Sequence, residues 1–379
     1  MLQGDIVRDG FRSDEVHEAL DLCLSCKGCL GDCPVKVDMA TYKAEFLSRY
    51  YKRRLRPRAA YSMGLIMFHA RVAARMPRLA NALGRVPALK RLGGVAPERQ
   101  VPRFAKETFT AWFQRRGIVN AGADPVLLFP DTFNDHLHPE TLKATTEVIE
   151  AAGFRVVLPD RPICCGRPLY DYGMLPLARR FWGRTLRVLR PWIRQGVPVV
   201  GIEPSCVAAF RDELTGLLPS DEDAKRLNLQ TLTLAEFLER HAPHWPVPRL
   251  EKRAVVHGHC HQEAVMGMDA ESSLYERMGL DFEVLDSGCC GLAGSFGFEH
   301  EHFDVSKKIG EHRLLPMVRD ADPDTLIVAD GFSCKTQIEE LTDRRTVHTA
   351  ELVRMAMETR PARPSAIRRA DRQCIPAGS

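Results

Sequence analysis

The chain is 379 residues long, 45% hydrophobic and 27% charged, enough apolar material for two or three domains with cores of their own, which excludes a disordered chain. No run of about twenty apolar residues occurs, so no bilayer-spanning helix is expected. The 12 cysteines follow no apolar leader stretch, so thiols kept reduced and free for metals in the cytoplasm are expected, and disulfides are not.

The first element is CLSCKGCLGDCP, in which Cys23, Cys26, Cys29 and Cys33 follow the spacing C-x2-C-x2-C-x3-C-P. Thiolates stepped in this way can each take one corner of a [4Fe–4S] cube, and Pro34 turns the chain away. A zinc site seldom uses three evenly stepped cysteines, and a redox dithiol needs only a pair. Residues 1–58 are therefore read as a helical, ferredoxin-type [4Fe–4S] region.

Residues 59–121 form a basic helical connector. The net charge of the whole chain is +4, yet Arg49–Arg116 holds 17 Lys and Arg against Glu98 and Glu107, a local excess of +15 that leaves −11 for the rest. Leu65, Ile66, Met67, Phe68, Val72 and Met76 lie among these charges, and Arg71, Arg75 and Arg78 interrupt the most apolar stretch. Such a block is a solvated face, or it docks on anionic lipid or on an acidic protein. Nucleic acid is not expected, because no binding motif accompanies the charge.

After Gly122 the texture changes to short β-branched runs separated by amphipathic stretches, the mark of an α/β fold. VLLFP from Val126 and FRVVLP from Phe154 are predicted strands, with helices over 140–152 and about 177–195 and a third strand in VPVVGI. The order then recurs in AVVHG, FEVLD and TLIVAD. Each run leads to cysteine: Cys164 and Cys165, then Cys206, in the first unit; Cys260, Cys289 and Cys290, then Cys334, in the second. The two CCG tripeptides lie 125 positions apart and Cys206 and Cys334 lie 128 apart, which identifies an internal duplication over residues 122–248 and 249–358.

In a parallel sheet the carboxyl ends of the strands share one edge, and ligands bind in the crevice there. All seven thiols are expected on such rims as metal ligands, with Gly166 and Gly291 letting the backbone come close to sulfide. The second unit offers four thiols. The first offers three, with Phe129–Asn134 where a leading cysteine belongs; that site is incomplete, borrows a ligand, or is structural. His257, His259 and His261 flank Cys260 as partners of the ligands. Residues 359–379, with Cys374, read as a disordered basic tail.

These motifs, with the ending GCCGLAGSFGFEHEHFDVSKKIGEHRLLP…LIVADGFSCKTQI, resemble the iron–sulfur half of FAD-linked 2-hydroxyacid dehydrogenases, the D-2-hydroxyglutarate, D-lactate and glycolate oxidase type. The CCG units are similar to those of heterodisulfide reductase. The resemblance implies an α+β multidomain chain, a helical ferredoxin-type region followed by two parallel-sheet CCG domains. It also implies electron transfer from a flavoprotein through one ferredoxin-type [4Fe–4S] cluster, and one or two more at the CCG domains, to a quinone or membrane-surface acceptor.

This chain has no G-x-G-x-x-G fingerprint, so FAD is expected only on a partner or on a preceding part of a fused enzyme, and the chain alone is not expected to oxidise a hydroxyacid. In two-motif ferredoxins the fourth cysteine of each run completes the other cluster, so Cys33 closes its own cube or serves another. Glu203 and Gly331 stand where heterodisulfide reductase carries a further cysteine before Cys206 and Cys334. The alternatives are thiol–disulfide reduction at a CCG cluster and a non-catalytic remnant. A cytoplasmic location is expected, with peripheral contact to the membrane compatible with the basic connector.

Overall fold

A computed structural model of the protein describes residues 9–359; Cys374 and the rest of the expected tail lie outside them. The β-branched runs form short parallel strands, because consecutive apolar residues suit a sheet covered by helices on both faces. In the first unit β1 (Pro125–Leu128), β2 (Arg155–Val157), β3 (Val199–Val200) and β4 (Thr231–Leu232) pair in the order β2-β1-β3-β4. In the second, β5 (Arg253–Val256), β6 (Asp281–Val284), β7 (Leu326–Val328) and β8 (Thr346–Val347) pair as β6-β5-β7-β8. The duplication is thus one of topology as well as of thiol spacing. The strands β4 and β8, two residues each, are too short to stand out as runs in the sequence.

Alternation along each strand divides the apolar residues between two layers. Val126, Leu128, Val200, Ala254, Val256 and Val328 join a core common to both units, where the helices Pro139–Ala151 and Thr349–Thr359 pack on each other. Leu127, Val157 and Val199 face the opposite side, against the helix Leu175–Ile193. Val255 and Ile327 do the same in the second unit, against the helix Leu314–Asp320. A continuous, close-packed core holds the two sheets, and so their strand tips, in a fixed relation.

The N-terminal helices Asp14–Asp21 and Met39–Tyr50 begin at Ser13 and Asp38, whose side chains accept from Val16 N at 3.2 Å and from Thr41 N at 3.1 Å. Asp21 ties the first helix to the second unit: His302 Nε2 donates to it at 2.8 Å, and His302 Nδ1 donates to Glu299 at 3.1 Å. Burial alone would lower the imidazole pKa; hydrogen bonds to the two carboxylates outweigh it and raise it to about 9. The unfolded value is about 6.5, so this stabilisation is complete below about pH 6.5 and is lost as pH rises through about 9. After solvent screening at half-exposed Asp21, about 1–2 kcal/mol of urea-unfolding free energy is expected to disappear over that window in the wild type and not in His302→Gln. Equal slopes in the two proteins would refute the assignment.

The connector folds as short helices, among them Ile66–Ala73, Pro77–Leu83, Pro87–Leu92 and Phe109–Arg116. Its distal end is pinned by the fully buried Arg99, which donates to Gly297 O at 2.6 Å, Ser306 Oγ at 2.8 Å and Glu340 at 3.0 Å. Among the described residues, no helix is long and apolar enough to cross a membrane.

Candidate metal centre

The strand order leaves β1 and β3 adjacent with crossovers leaving to opposite sides, and likewise β5 and β7, so each sheet opens a crevice at its carboxyl edge. The loops at that edge carry the cysteines. Cys206 and Cys334 lie in the first turns of the helices Pro204–Arg211 and Phe332–Leu341, where both thiols line the crevice.

In the second unit, Sγ of Cys290 and Cys334 and a ring nitrogen of His257 all lie within 4.8 Å of one another. Cys289 hydrogen-bonds with both Cys260 and Cys290 and receives Gly291 N at 3.3 Å. Three of these sulfurs are shifted in different directions. Hydrogen bonds from Cys289 and then from Cys334 overcome the opposition of burial and pull the Cys290 thiol well below its ordinary range. Cys289 is held well above it by its bond with Cys260, and Cys334 by its bond with Cys290. His257 Nδ1 pairs with Ser287 Oγ at 2.7 Å, while its buried Nε2 has no oxygen or nitrogen partner among the described residues and faces the Cys290 sulfur. Four converging thiols and an orphaned imidazole nitrogen fit a thiolate-bound iron–sulfur cluster with a hydrogen bond to sulfur.

The first unit is built alike but for one position. Sheet pairing places Thr132 where the second unit has Cys260, and its hydroxyl lies by the Cys164 thiol. Cys165 and Cys206 meet at 2.9 Å between sulfurs. Burial pushes Cys206 up to about 12, and hydrogen bonding with Cys165 pushes Cys164 well above its ordinary range. Two carboxyls lie against this set: burial raises Asp131 to about 6 and Glu203 to about 7. Glu203 also crosses to the second unit, accepting from Phe332 N at 2.8 Å.

The CCG glycines also meet a packing demand. Gly166 at φ +77° sits so close to Trp182 that a Cβ would collide with the indole, and Gly291 at φ +87° sits equally close to Ser306 O. Both are needed for left-handed backbone and tight helix packing behind the thiols. Gly331 has no Cβ because the His259 ring occupies that space.

The N-terminal loop enters between the two units. Ser25 O accepts from Arg167 Nη2 of the first unit at 3.0 Å and from His261 Nε2 of the second at 3.0 Å. The buried Lys27, at φ +63°, donates to Asp38 at 2.6 Å and to Asp212 at 2.5 Å. Cys26, carried between these anchors, is raised to about 11 chiefly by burial and interacts electrostatically with Cys260, Cys23 and Cys29. Cys29 accepts from Met39 N at 3.4 Å. The Cys33 thiol faces backbone N–H groups, Val37 first, that draw its pKa down.

One cavity of about 280 Å³ collects Cys26, Cys165, Cys206, Cys260, Cys289, Cys290 and Cys334. Its remaining wall includes Met63, Ile66, Val101 and Phe104 of the connector. Cys164 is buried and does not line this cavity, and Cys23 lines a neighbouring cavity of about 760 Å³ with Asp21, Lys43 and His302. Lys27, Arg167 and His261 are positioning residues that sequence reasoning passes over, because a buried charge leaves no periodic signal; His261 alone stands out, through its place in HGHCHQ.

The family described as Cysteine-rich domain matches twice, over residues 128–211 and 258–339. D-2-hydroxyglutarate dehydrogenase of Pseudomonas putida is 27% identical over 90% of this chain and 34% of its own length. A component of the anaerobic glycerol-3-phosphate dehydrogenase of Escherichia coli is 31% identical over 68% of this chain and 66% of its own. Lactate utilization protein A of Geobacillus kaustophilus is 30% identical over 60% of this chain and 98% of its own. The chain spans about a third of the length of the D-2-hydroxyglutarate dehydrogenases it matches.

Proposed function

Since the chain belongs to the family of paired cysteine-rich CCG proteins that includes lactate utilization protein A, we propose that it is an iron–sulfur electron-transfer module. It takes electrons from an FAD-linked 2-hydroxyacid dehydrogenase flavoprotein and passes them to a quinone or other acceptor. The observation that carries this reading is the single cavity in which Cys26 of the N-terminal motif meets the thiols of both CCG units. Clusters there supply one-electron redox chemistry when bound, and no acid–base residue is required.

The chain's own residues set the conditions for that chemistry. Cys260, Cys289, Cys290 and Cys334 hold one cluster. Cys23, Cys26 and Cys29 hold a ferredoxin-type [4Fe–4S] cluster, with Cys33 as its fourth ligand or as a ligand to another. Cys164, Cys165 and Cys206 are a three-thiol set whose fourth position, Thr132, offers a weaker oxygen donor. Hydrogen bonds to sulfur from Gly291 N, Met39 N and His257 stabilise added electrons and so raise the potentials. Burial opposes this by disfavouring extra charge.

Anaerobic reconstitution is expected to load iron and acid-labile sulfide in equal amounts and to give an EPR signal on reduction. Stoichiometric zinc without iron in anaerobically purified protein would overturn the reading. Reoxidation of the reduced protein by a short-chain quinone, and not by a disulfide, is the result that separates electron transfer from thiol–disulfide reduction.

A further inference from the structure

The connector contains a segment that the electron-transfer reading does not use. Over residues 66–92 no acidic residue occurs, while Arg75, Arg78, Arg85 and Arg91 are exposed and make no ion pair among the described residues. The helices Pro77–Leu83 and Pro87–Leu92 bury no residue at all. Large apolar side chains nevertheless stand in solvent along them and just before them, including Val72 at 64%, Met76 at 58%, Leu79 at 49%, Leu83 at 46% and Leu92 at 63% exposure. Helices of six or seven residues are unstable in water by themselves, and helices in proteins owe their stability mainly to a buried apolar face. These two lack one. They are held at a few polar points instead, such as the paired hydrogen bonds of Asn81 with Phe104, at 3.0 and 2.8 Å.

We propose that residues 66–92 form a docking surface for an anionic lipid bilayer. The apolar side chains enter the acyl boundary, and the arginines interleaved with them lay their stems along it and place their guanidinium groups among lipid phosphates. Charge complementarity selects an anionic surface over a neutral one. The distribution of the apolar residues selects lipid over protein. They are spread across two short helices and the turn at Gly84–Val86, and form no single row for a partner's groove; a fluid surface conforms to such a spread without shape complementarity. The inference does not depend on whether any cluster is bound.

The test is co-sedimentation of the full chain with vesicles of phosphatidylglycerol and phosphatidylcholine, compared with phosphatidylcholine alone. Binding is expected at least about tenfold tighter to the anionic vesicles, and weaker as ionic strength rises. Leu79→Glu with Leu83→Glu, and separately Arg75→Glu with Arg78→Glu, are each expected to weaken it at least about tenfold while leaving the thermal midpoint and iron content unchanged, because none of these side chains belongs to a core. Leu229→Glu, more exposed still but in the first unit, serves as the control and is expected to bind as the wild type does. Absence of binding to anionic vesicles at low salt overturns the proposal, as does binding that the arm substitutions leave intact. So does a stable complex with a soluble acidic protein that the same substitutions abolish while vesicles go unbound.

Discussion

Replacing Cys290 by alanine is expected to remove about four iron atoms and four sulfides per chain from anaerobically reconstituted protein, while the N-terminal motif keeps its complement. Cys290 is the hub of the second unit: its sulfur is shared with Cys289 and Cys334 and faces His257. Without that thiolate the corner is left to the ring nitrogen of His257, a neutral donor whose other nitrogen is tied to Ser287, while the neighbouring side chains of Leu285 and Leu292 offer none. The complementary substitution, Thr132→Cys, restores the repeat's missing thiol beside Cys164 and is expected to add iron to the first unit. Iron and acid-labile sulfide analysis reads both. Undiminished iron in Cys290→Ala would remove the second unit from the account.

Arg167→Met is expected to lower the unfolding free energy by about 3–5 kcal/mol, the usual cost of breaking a buried ion pair from one side. Burial would depress the guanidinium's pKa, but Asp171 and Glu213 outweigh that and raise it. Its Nη1 donates to Glu213, which is almost wholly buried, and its Nη2 donates to Ser25 O. Methionine fills much of the space but leaves Asp171 without its cation, Glu213 with only Lys27 at 3.6 Å, and the Cys26 loop without one of its two clamps. Adding Glu213→Gln to Arg167→Met is expected to return part of the loss, because one uncompensated charge is then gone. Urea unfolding of the four proteins forms a double-mutant cycle. A loss below about 1 kcal/mol in the single variant would show that the clamp is unimportant to folding.

Much of this architecture was legible in advance for a simple reason. Buried parallel strands are runs such as Val126–Leu128 and Ala254–Val256, and their carboxyl ends share an edge, so a cysteine following each run has its neighbourhood set by topology alone. The spacing of Cys23, Cys26 and Cys29 is similarly local. Other features had no such signature. The unpairing of Thr132 from the thiol pattern can be located only once the β1 and β5 registers align the units. The packing roles of Gly166 and Gly291 depend on Trp182 and Ser306, residues 16 and 15 positions away, whose approach no local pattern announces.

The amino-acid sequence by itself determined the duplicated α/β units, the thiols at their strand ends and the concentration of positive charge in the connector, because each is written in nearest-neighbour spacing or composition. Only the tertiary structure decided that the N-terminal loop lies between the two units, that Cys26 shares their cavity, and that the helices Pro77–Leu83 and Pro87–Leu92 bury no residue. The physical reason is that these depend on buried charges at Lys27 and Arg167 finding partners 185 and 46 positions away, contacts whose energy is large and whose sequence separation is arbitrary.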